Sequence, residues 1–208
     1  MHKKFYVLLM IFSVALFSAC SNKPAANKAA NAEIKRGVAP VPDPEIAVIE
    51  MENAGAFGTI KIELYSNIAP KAVARFKELA KEGFYNGTTF HRADPNLGII
   101  QGGDPNSKDD NPANDGMGQS DKPNVEAEFS DVPYEAGTVG AARSQDVNSA
   151  NSQFYITLKR QPSFDTRYTV FGKVIEGLNN ARTIAGAPRN GDKPNEPVKI
   201  KSITIQPR

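Results

Sequence analysis

The chain has 208 residues, 40% of them apolar, which is enough for one domain with a hydrophobic core, with or without a tail. Its formal net charge of +2 comes from 25 basic and 23 acidic residues, and it falls to zero if Lys3 and Lys4 are removed with an N-terminal signal. This balance, without a basic stripe, argues against a nucleic-acid partner.

The first 19 residues have the pattern of an export signal. The two lysines precede an apolar stretch, Phe5 to Phe17, that is too short for a comfortable transmembrane span. The small residues of "SAC" then lead to Cys20, the one cysteine of the sequence, so no intramolecular disulfide can form. This arrangement resembles a bacterial lipoprotein signal, although Phe17 stands where leucine is usual. We expect residues 1–19 to be a lipoprotein-type signal peptide and Cys20 to be lipidated. The alternative is an ordinary secretory signal, and either one implies export. The lipoprotein interpretation further implies a membrane-anchored protein of the cell envelope.

Residues 20–45 are rich in Ala, Asn and Pro and show no sustained apolar period. This composition predicts a flexible tether that ends in an extended Pro-rich run. The tether either lets an anchored domain reach its substrates or acts only as a spacer.

The folded domain is predicted to begin at residue 46. "IAVIEME" and "GTIKIELY" alternate as β-strands do, and "NAGAFG" between them is typical of a turn, which together predict a hairpin. From Ala69 to Glu82, apolar residues recur at helical spacing, with Pro70 suited to the first turn and Gly83 to the end.

The remainder alternates short strands with turns. Strands are predicted at "GTTFHR", "LGIIQGG", "GTVGAA", "SQFYITL", "YTVFGKV" and the closing "VKIKSITI", and a short helix at Leu178 to Ile184. Residues 104–124 form a long polar loop, a kind of segment that is usually functional or mobile. This order predicts a mainly β fold, a closed antiparallel β-barrel with two capping helices.

Several kinds of chemistry lack the residues they need. His91 is the only histidine beyond the signal, so a histidine-rich metal site cannot form. The sequence contains neither the G-x-S-x-G motif of many hydrolases nor a phosphate-binding loop. Asp109, Asp110 and Asp115 lack the spacing of a calcium loop, and we interpret them as a solvated cluster. We therefore expect no metal and no cofactor.

The stretch "FHRADPNLGIIQGGDP" places Arg92 and Gln101 on either side of an apolar run. An apolar wall suits a proline ring, and rotation about an X-Pro bond requires amide resonance to be broken. In the twisted transition state the prolyl nitrogen gains a lone pair, to which a guanidinium can donate without proton transfer. The alternative is that Arg92 makes a structural salt bridge.

Several blocks, in order, resemble the cyclophilin family of peptidyl-prolyl cis-trans isomerases over residues 46–208. They are "GTIKIELY", "FKELAKEGFYNGTTFHR", "QGGDP", "NSANSQFYI", "YTVFGKVIEG" and "EPVKIKSITI". The resemblance implies an eight-stranded antiparallel β-barrel capped by two α-helices, and prolyl isomerase activity.

The resemblance also implies roles for individual residues. Arg92 corresponds to the catalytic arginine, and Gln101 to a glutamine that supports it. The implied substrate-binding residues are Leu97, Ile99, Ala142, Arg143, Gln153, Tyr155, Phe164 and Tyr168. Tyr155 is the expected floor of the proline pocket, where phenylalanine is usual, whereas Phe154 is expected in the core and His91 in a structural role.

Three departures from the family pattern bear on activity. The chain has one residue more than usual between Arg92 and Gln101, and it lacks the aromatic residue common there. Ser163 stands where cyclosporin-sensitive members have tryptophan, so we expect weak cyclosporin binding. The loop over residues 104–124 is also longer than in compact members.

These observations predict a monomeric, membrane-tethered prolyl isomerase that acts on proline-containing peptides and unfolded exported proteins. The alternative is a catalytically weak module that binds proline-containing segments or acts as a chaperone.

Overall fold

The computed structural model describes residues 33–208. The predicted signal peptide, Cys20 and residues 20–32 of the predicted tether lie outside the described residues. In the part that is described, no helix is both long enough and apolar enough to span a bilayer.

Strands dominate the described chain. In chain order they are β1 (Ile34–Lys35), β2 (Glu45–Met51), β3 (Thr59–Leu64), β4 (Arg92–Asp94), β5 (Ile99–Gly102), β6 (Phe129–Ser130), β7 (Thr138–Ala141), β8 (Phe154–Thr157), β9 (Val170–Glu176), β10 (Arg189–Asn190), β11 (Lys193–Pro194) and β12 (Ile200–Pro207).

Eight of these strands form one antiparallel sheet in the order β12-β2-β3-β9-β7-β8-β5-β4. Its two ends meet just before β4, where Thr89 bridges Lys199 and the Phe90 N–H donates to the Val198 carbonyl at 3.0 Å. The curled sheet confirms the predicted fold class. The strand predicted at "GTTFHR" is largely wrong: β4 begins only at Arg92, the last residue of that stretch, and the residues before it make the junction instead.

Two helices match the prediction closely, α2 (Pro70–Lys81) and α3 (Leu178–Ala185). Helix α2 has Pro70 in its first turn and buries an apolar stripe that includes Phe76 and Leu79. The predicted turn between β2 and β3 contains a one-turn helix, α1 (Ala54–Phe57), whose Ala56 N–H donates to the Asn53 side chain at 3.2 Å.

The core lies between the sheet and α2 and contains several aromatic rings. Phe76 packs against Tyr85, Phe154 and Phe171 with ring centroids 5.2–5.4 Å apart. Phe154 is 1% exposed, which agrees with its predicted core position. These contacts fix β8, the strand that carries Tyr155 and that begins directly after Gln153.

The last part of the predicted tether is packed on the domain. Strand β1 pairs in parallel with β6, the Gly37 N–H donates to Asp131 at 2.8 Å, and the Val41 N–H donates to Asn67 at 2.9 Å. Asp43 accepts hydrogen bonds from Ser66 and Lys77. Residues 33–45 therefore belong to the folded unit, in contrast to the prediction of a flexible tether up to residue 45. The reason is that polar side chains of the domain form hydrogen bonds with backbone groups of this segment, which its composition alone would predict to be bonded to water.

Candidate active site

Arg92 and Gln101 face each other across neighbouring strands. In the antiparallel pair β4–β5, Arg92 lies opposite Gln101 and Asp94 lies opposite Ile99. On the other side of β5, Gln101 lies opposite Tyr155 of β8. Because directly opposed residues share a face of the sheet, this register gathers the predicted catalytic pair and the predicted pocket floor on one face.

The guanidinium of Arg92 is held by two carboxylates. Its Nε donates to Oδ2 of Asp192 at 2.8 Å, and its Nη2 donates to Oδ2 of Asp94 at 2.7 Å. The side chain is 34% exposed, so it stays accessible from solvent. Arg92 therefore makes salt bridges within the protein, which was the alternative to a catalytic role, and it also keeps donor groups free for a ligand.

Gln101 does not support Arg92 as the resemblance implied. Its Nε2 donates to Oε1 of Gln153 at 2.9 Å instead. Gln153 in turn donates to the carbonyl oxygens of Gly116 at 3.1 Å and Gly118 at 2.8 Å. The two amides thus link the sheet to the long polar loop. Gln101 bonds to Gln153 because Gln153 offers it an acceptor, whereas Arg92 is already paired with two carboxylates.

A polar cavity of about 190 Å³ opens beside these amides. Gln101, Gln153, Ala142 and Arg143 line it, together with residues 116–119 of the polar loop. Arg92, Ile99 and Tyr155 do not line it. The structure therefore brings Gln101, predicted as catalytic, and three predicted substrate-binding residues around one cavity, with the predicted proline wall next to it.

An aromatic cluster forms the apolar part of the site. Tyr155 packs edge-on against Phe164 and Tyr168, with centroids 5.6 and 6.0 Å away, and stacks on Tyr134 at 6.0 Å. The Tyr155 hydroxyl donates to the Tyr134 hydroxyl at 3.1 Å. Burial raises the pKa of Tyr155 well above its ordinary value, so its hydroxyl stays protonated and is not a base.

The wall between Arg92 and Gln101 is a turn followed by a buried strand. The Leu97 N–H donates to Oδ1 of Asp94 at 2.9 Å, and the Lys159 ammonium donates to the Asn96 carbonyl at 2.9 Å. Leu97 is partly buried against the core. Ile99 is only 2% exposed, so it supports the wall from within and presents little surface to a ligand. In the turn that precedes Ile99, Gly98 has a φ of +61°, a conformation that glycine adopts at little cost.

Ala142 and Arg143 follow β7 at the rim of the cavity. The Ala142 N–H donates to the Gln153 carbonyl at 3.0 Å. The Arg143 guanidinium lies 4.5 Å from the centre of the Tyr168 ring and donates to the Ser144 and Arg167 carbonyl oxygens. Arg143 thus fixes Tyr168 as well as bordering the cavity.

The sequence analysis missed Asp94, Asp192 and Tyr134. Asp94 carried a usable signal, because residues two apart on a strand share a face and a carboxylate two positions after an arginine can pair with it. Asp192 lies 100 positions from Arg92 in the chain, and no local pattern indicates that contact.

His91 directly precedes β4 and is 6% exposed. Burial lowers the pKa of His91, an effect that Asp104 and Asp115 partly oppose, and neither ring nitrogen has a hydrogen-bond partner within residues 33–208. Over the same residues, His, Cys, Asp and Glu side chains do not form a group of three that could hold a metal ion.

Comparison with known proteins identifies the family. A family model described as "Cyclophilin type peptidyl-prolyl cis-trans isomerase/CLD" matches residues 48–205. The chain belongs to the cyclophilin-type peptidyl-prolyl cis-trans isomerases. It is an isomerase of that class.

Several known proteins are similar to this chain over most of their own length. A probable peptidyl-prolyl cis-trans isomerase of Brucella suis is 42% identical over 154 residues, which cover 72% of this chain and 78% of the relative. A peptidyl-prolyl cis-trans isomerase of Schizosaccharomyces pombe is 36% identical over 167 residues, covering 77% and 100%. A Cryptosporidium parvum cyclophilin, crystallised in the presence of the dipeptide Ala-Pro, superposes with a TM-score of 0.68 at 30% identity, covering 78% of this chain and 99% of that chain.

Proposed function

We propose that this cyclophilin-type isomerase acts on exported proteins in the cell envelope, with Arg92 as the residue that stabilises the twisted prolyl bond. The observation that carries the site assignment is the opposition of Arg92 and Gln101 on the sheet face that also bears Tyr155. A prolyl ring against Leu97 and the aromatic cluster would place its nitrogen within reach of the guanidinium.

The chemistry needs neither a proton transfer nor a cofactor. As the X-Pro bond twists, the prolyl nitrogen loses conjugation and becomes a hydrogen-bond acceptor, and a fixed cationic donor stabilises this state more than either planar isomer. Arginine suits the role because it does not deprotonate in proteins. Gln101 and Gln153 would bind peptide backbone beside the prolyl ring. The Ala-Pro dipeptide named for the Cryptosporidium relative supports prolyl peptides as the substrate class.

Exchange spectroscopy by NMR on a short peptide with one Ala-Pro bond tests this assignment. The full-length chain should accelerate cis-trans exchange, and Arg92→Ala should abolish most of the acceleration, by about a hundredfold for one lost transition-state donor. Arg182→Ala is the matched control, because Arg182 is exposed on α3 and hydrogen bonds to Asn179 within the same helix. If Arg92→Ala is folded and exchange stays within twofold of the unmodified chain, Arg92 does not have this role.

A second candidate function is peptide binding with little turnover. It is favoured by the burial of Ile99 and Tyr155, which leaves the cavity of about 190 Å³ beside the amides rather than over the aromatic floor. Binding of the same peptide, seen as shifted amide resonances without faster exchange, would favour this function over catalysis.

The proposal of an envelope location is supported by the sequence alone, through the export signal before Cys20. Lipidation would tether the domain and direct the isomerase to exported, unfolded clients, for which prolyl isomerisation can limit the folding rate. Metabolic labelling with a radioactive fatty acid should mark the unmodified chain but not Cys20→Ser. Equal labelling of both, or labelling of neither, would contradict the lipoprotein assignment.

A further inference from the structure

The orientation of Arg92 comes from two carboxylates rather than from the neighbouring glutamine. Asp192 accepts from Nε and Asp94 accepts from Nη2, while Nη1 makes no hydrogen bond to any residue of the described range 33–208. A flexible side chain with two of its three nitrogens fixed presents the third in a defined direction. Fixing a donor before the substrate arrives removes an entropic cost from the transition state.

Asp94 connects the guanidinium to the wall of the site. One of its oxygens accepts from Arg92 and the other accepts from the Leu97 N–H at 2.9 Å. The Asp94 side chain is 12% exposed, so its position is determined by its surroundings. Any displacement of the turn over residues 95–98 is therefore transmitted to Arg92 through a single carboxylate.

Asp192 is held by the hairpin formed by β10 and β11. It lies in the two-residue turn between Asn190 and Lys193, and its carbonyl accepts from the Ala93 N–H at 2.6 Å. This backbone bond fixes Asp192 next to β4 although its side chain is 52% exposed. The hairpin thus delivers a second carboxylate to Arg92 from the C-terminal part of the chain.

We propose that Asp94 and Asp192 are positioning residues for the isomerase reaction, which act by holding Arg92 with Nη1 directed to the substrate. The proposal rests on the role of Arg92 proposed above. It assigns a function to the C-terminal hairpin and to the turn over residues 95–98.

The test measures kcat and peptide affinity separately, by NMR exchange and titration with the Ala-Pro peptide on the full-length chain. Asp192→Asn removes the charge at a half-exposed site, where we expect the fold to be retained. Its kcat should fall about tenfold while peptide affinity changes less than about twofold, because a misdirected donor affects the transition state more than the ground state. Asp192→Glu should restore most of kcat. Glu176→Gln is the matched control, because it removes the charge from an exposed ion pair with Lys61.

A second readout reports on Arg92 directly. The Nε–H of Arg92 should exchange slowly with solvent in the unmodified chain and faster in Asp192→Ala. The kcat of that variant should fall while its unfolding midpoint changes little, whereas a purely structural role would lower the midpoint and leave the kcat of the folded protein unchanged. Asp94→Asn should lower kcat at least as much as Asp192→Asn; if it does not fold, the Asp192 variants decide.

The outcomes separate the two proposals. If Arg92→Ala loses activity but folded Asp192→Asn keeps kcat within about twofold or raises it, the positioning role is wrong and the role of Arg92 stands. If Arg92→Ala retains activity, the role of Arg92 fails, and the positioning proposal fails with it.

Discussion

Gln101 donates through Nε2 to Oε1 of Gln153 at 2.9 Å, so the two amides of the site are paired with each other rather than with Arg92. Gln153 itself donates hydrogen bonds to the Gly116 and Gly118 carbonyl oxygens. One side chain therefore connects the sheet face of the site to the long polar loop.

This connection predicts that Gln153→Leu loosens the loop. Two carbonyl oxygens lose their donor, and amides that are hydrogen-bonded within the loop, such as Met117 to Asn114, should open more often. Hydrogen exchange measured by mass spectrometry should show faster exchange over residues 116–120. Gln206→Leu is the control, since Gln206 is exposed and bonds to Thr204. Unchanged protection over these residues would contradict the role of Gln153.

The buried hydroxyl pair of Tyr155 and Tyr134 predicts non-additive stabilities. Each single change to phenylalanine removes one partner and leaves the other hydroxyl unsatisfied, which should lower the free energy of unfolding by about 1 kcal/mol. The double variant removes both groups together, so it should cost less than the sum of the single variants. Urea unfolding measures all three. Additive losses would show that the hydroxyls act independently.

His91 predicts a loss of stability on acidification. Its pKa is lowered by burial, so as the pH falls through the ordinary value of 6.5 the unfolded chain takes up a proton more readily than the folded chain. This contribution to stability is fully present above that value and is lost progressively as the pH falls from 6.5 towards the lower pKa of the folded state. His91→Gln should lose this share of the pH dependence in urea unfolding. Equal pH dependence in both proteins would show that His91 titrates alike in the two states.

The hydrogen bonds of Asp43 should help to hold residues 33–45 on the domain. Burial by itself raises the pKa of Asp43, but hydrogen bonds from Lys77 and Ser66 outweigh it and lower the pKa below the ordinary 3.8. The stabilisation is therefore present above 3.8 and is lost as the pH falls through the folded value. Asp43→Asn should cost about 1 kcal/mol at pH 7 and less near pH 3. The contrast is with Glu45→Gln, whose ion pair with Lys77 is more exposed and should matter less. An Asp43→Asn cost that stays the same at the two pH values would contradict this account.

Ser163 predicts weak inhibition by cyclosporin. It is exposed in the turn Pro162–Phe164, where the resemblance places a tryptophan in sensitive members of the family. Ser163→Trp adds an aromatic anchor beside Phe164 and should strengthen inhibition about tenfold or more. Inhibition of peptide exchange measures the effect, with Ser163→Ala as the unchanged control. Sub-micromolar inhibition of the unmodified chain would overturn the prediction.

The hydrophobic pattern determined the regular elements of this protein. Alternation at β2 and β3 and the helical stripe of α2 follow from which side chains leave water, and such local regularity is legible in a sequence. Arg92, Gln101 and Tyr155 were found because they lie within motifs that resemble a family, and the register of β4, β5 and β8 does bring them onto one face.

The tertiary structure decided what each of these side chains touches. Gln101 pairs with Gln153, 52 positions away, and Arg92 pairs with Asp192, 100 positions away, because the closed sheet and a C-terminal hairpin bring distant segments together. Residues 33–45 lie on the domain because Asp43, Asn67 and Asp131 satisfy polar groups that a Pro-rich composition would leave to solvent. Such contacts depend on three-dimensional proximity, whereas composition and periodicity report only on neighbours along the chain.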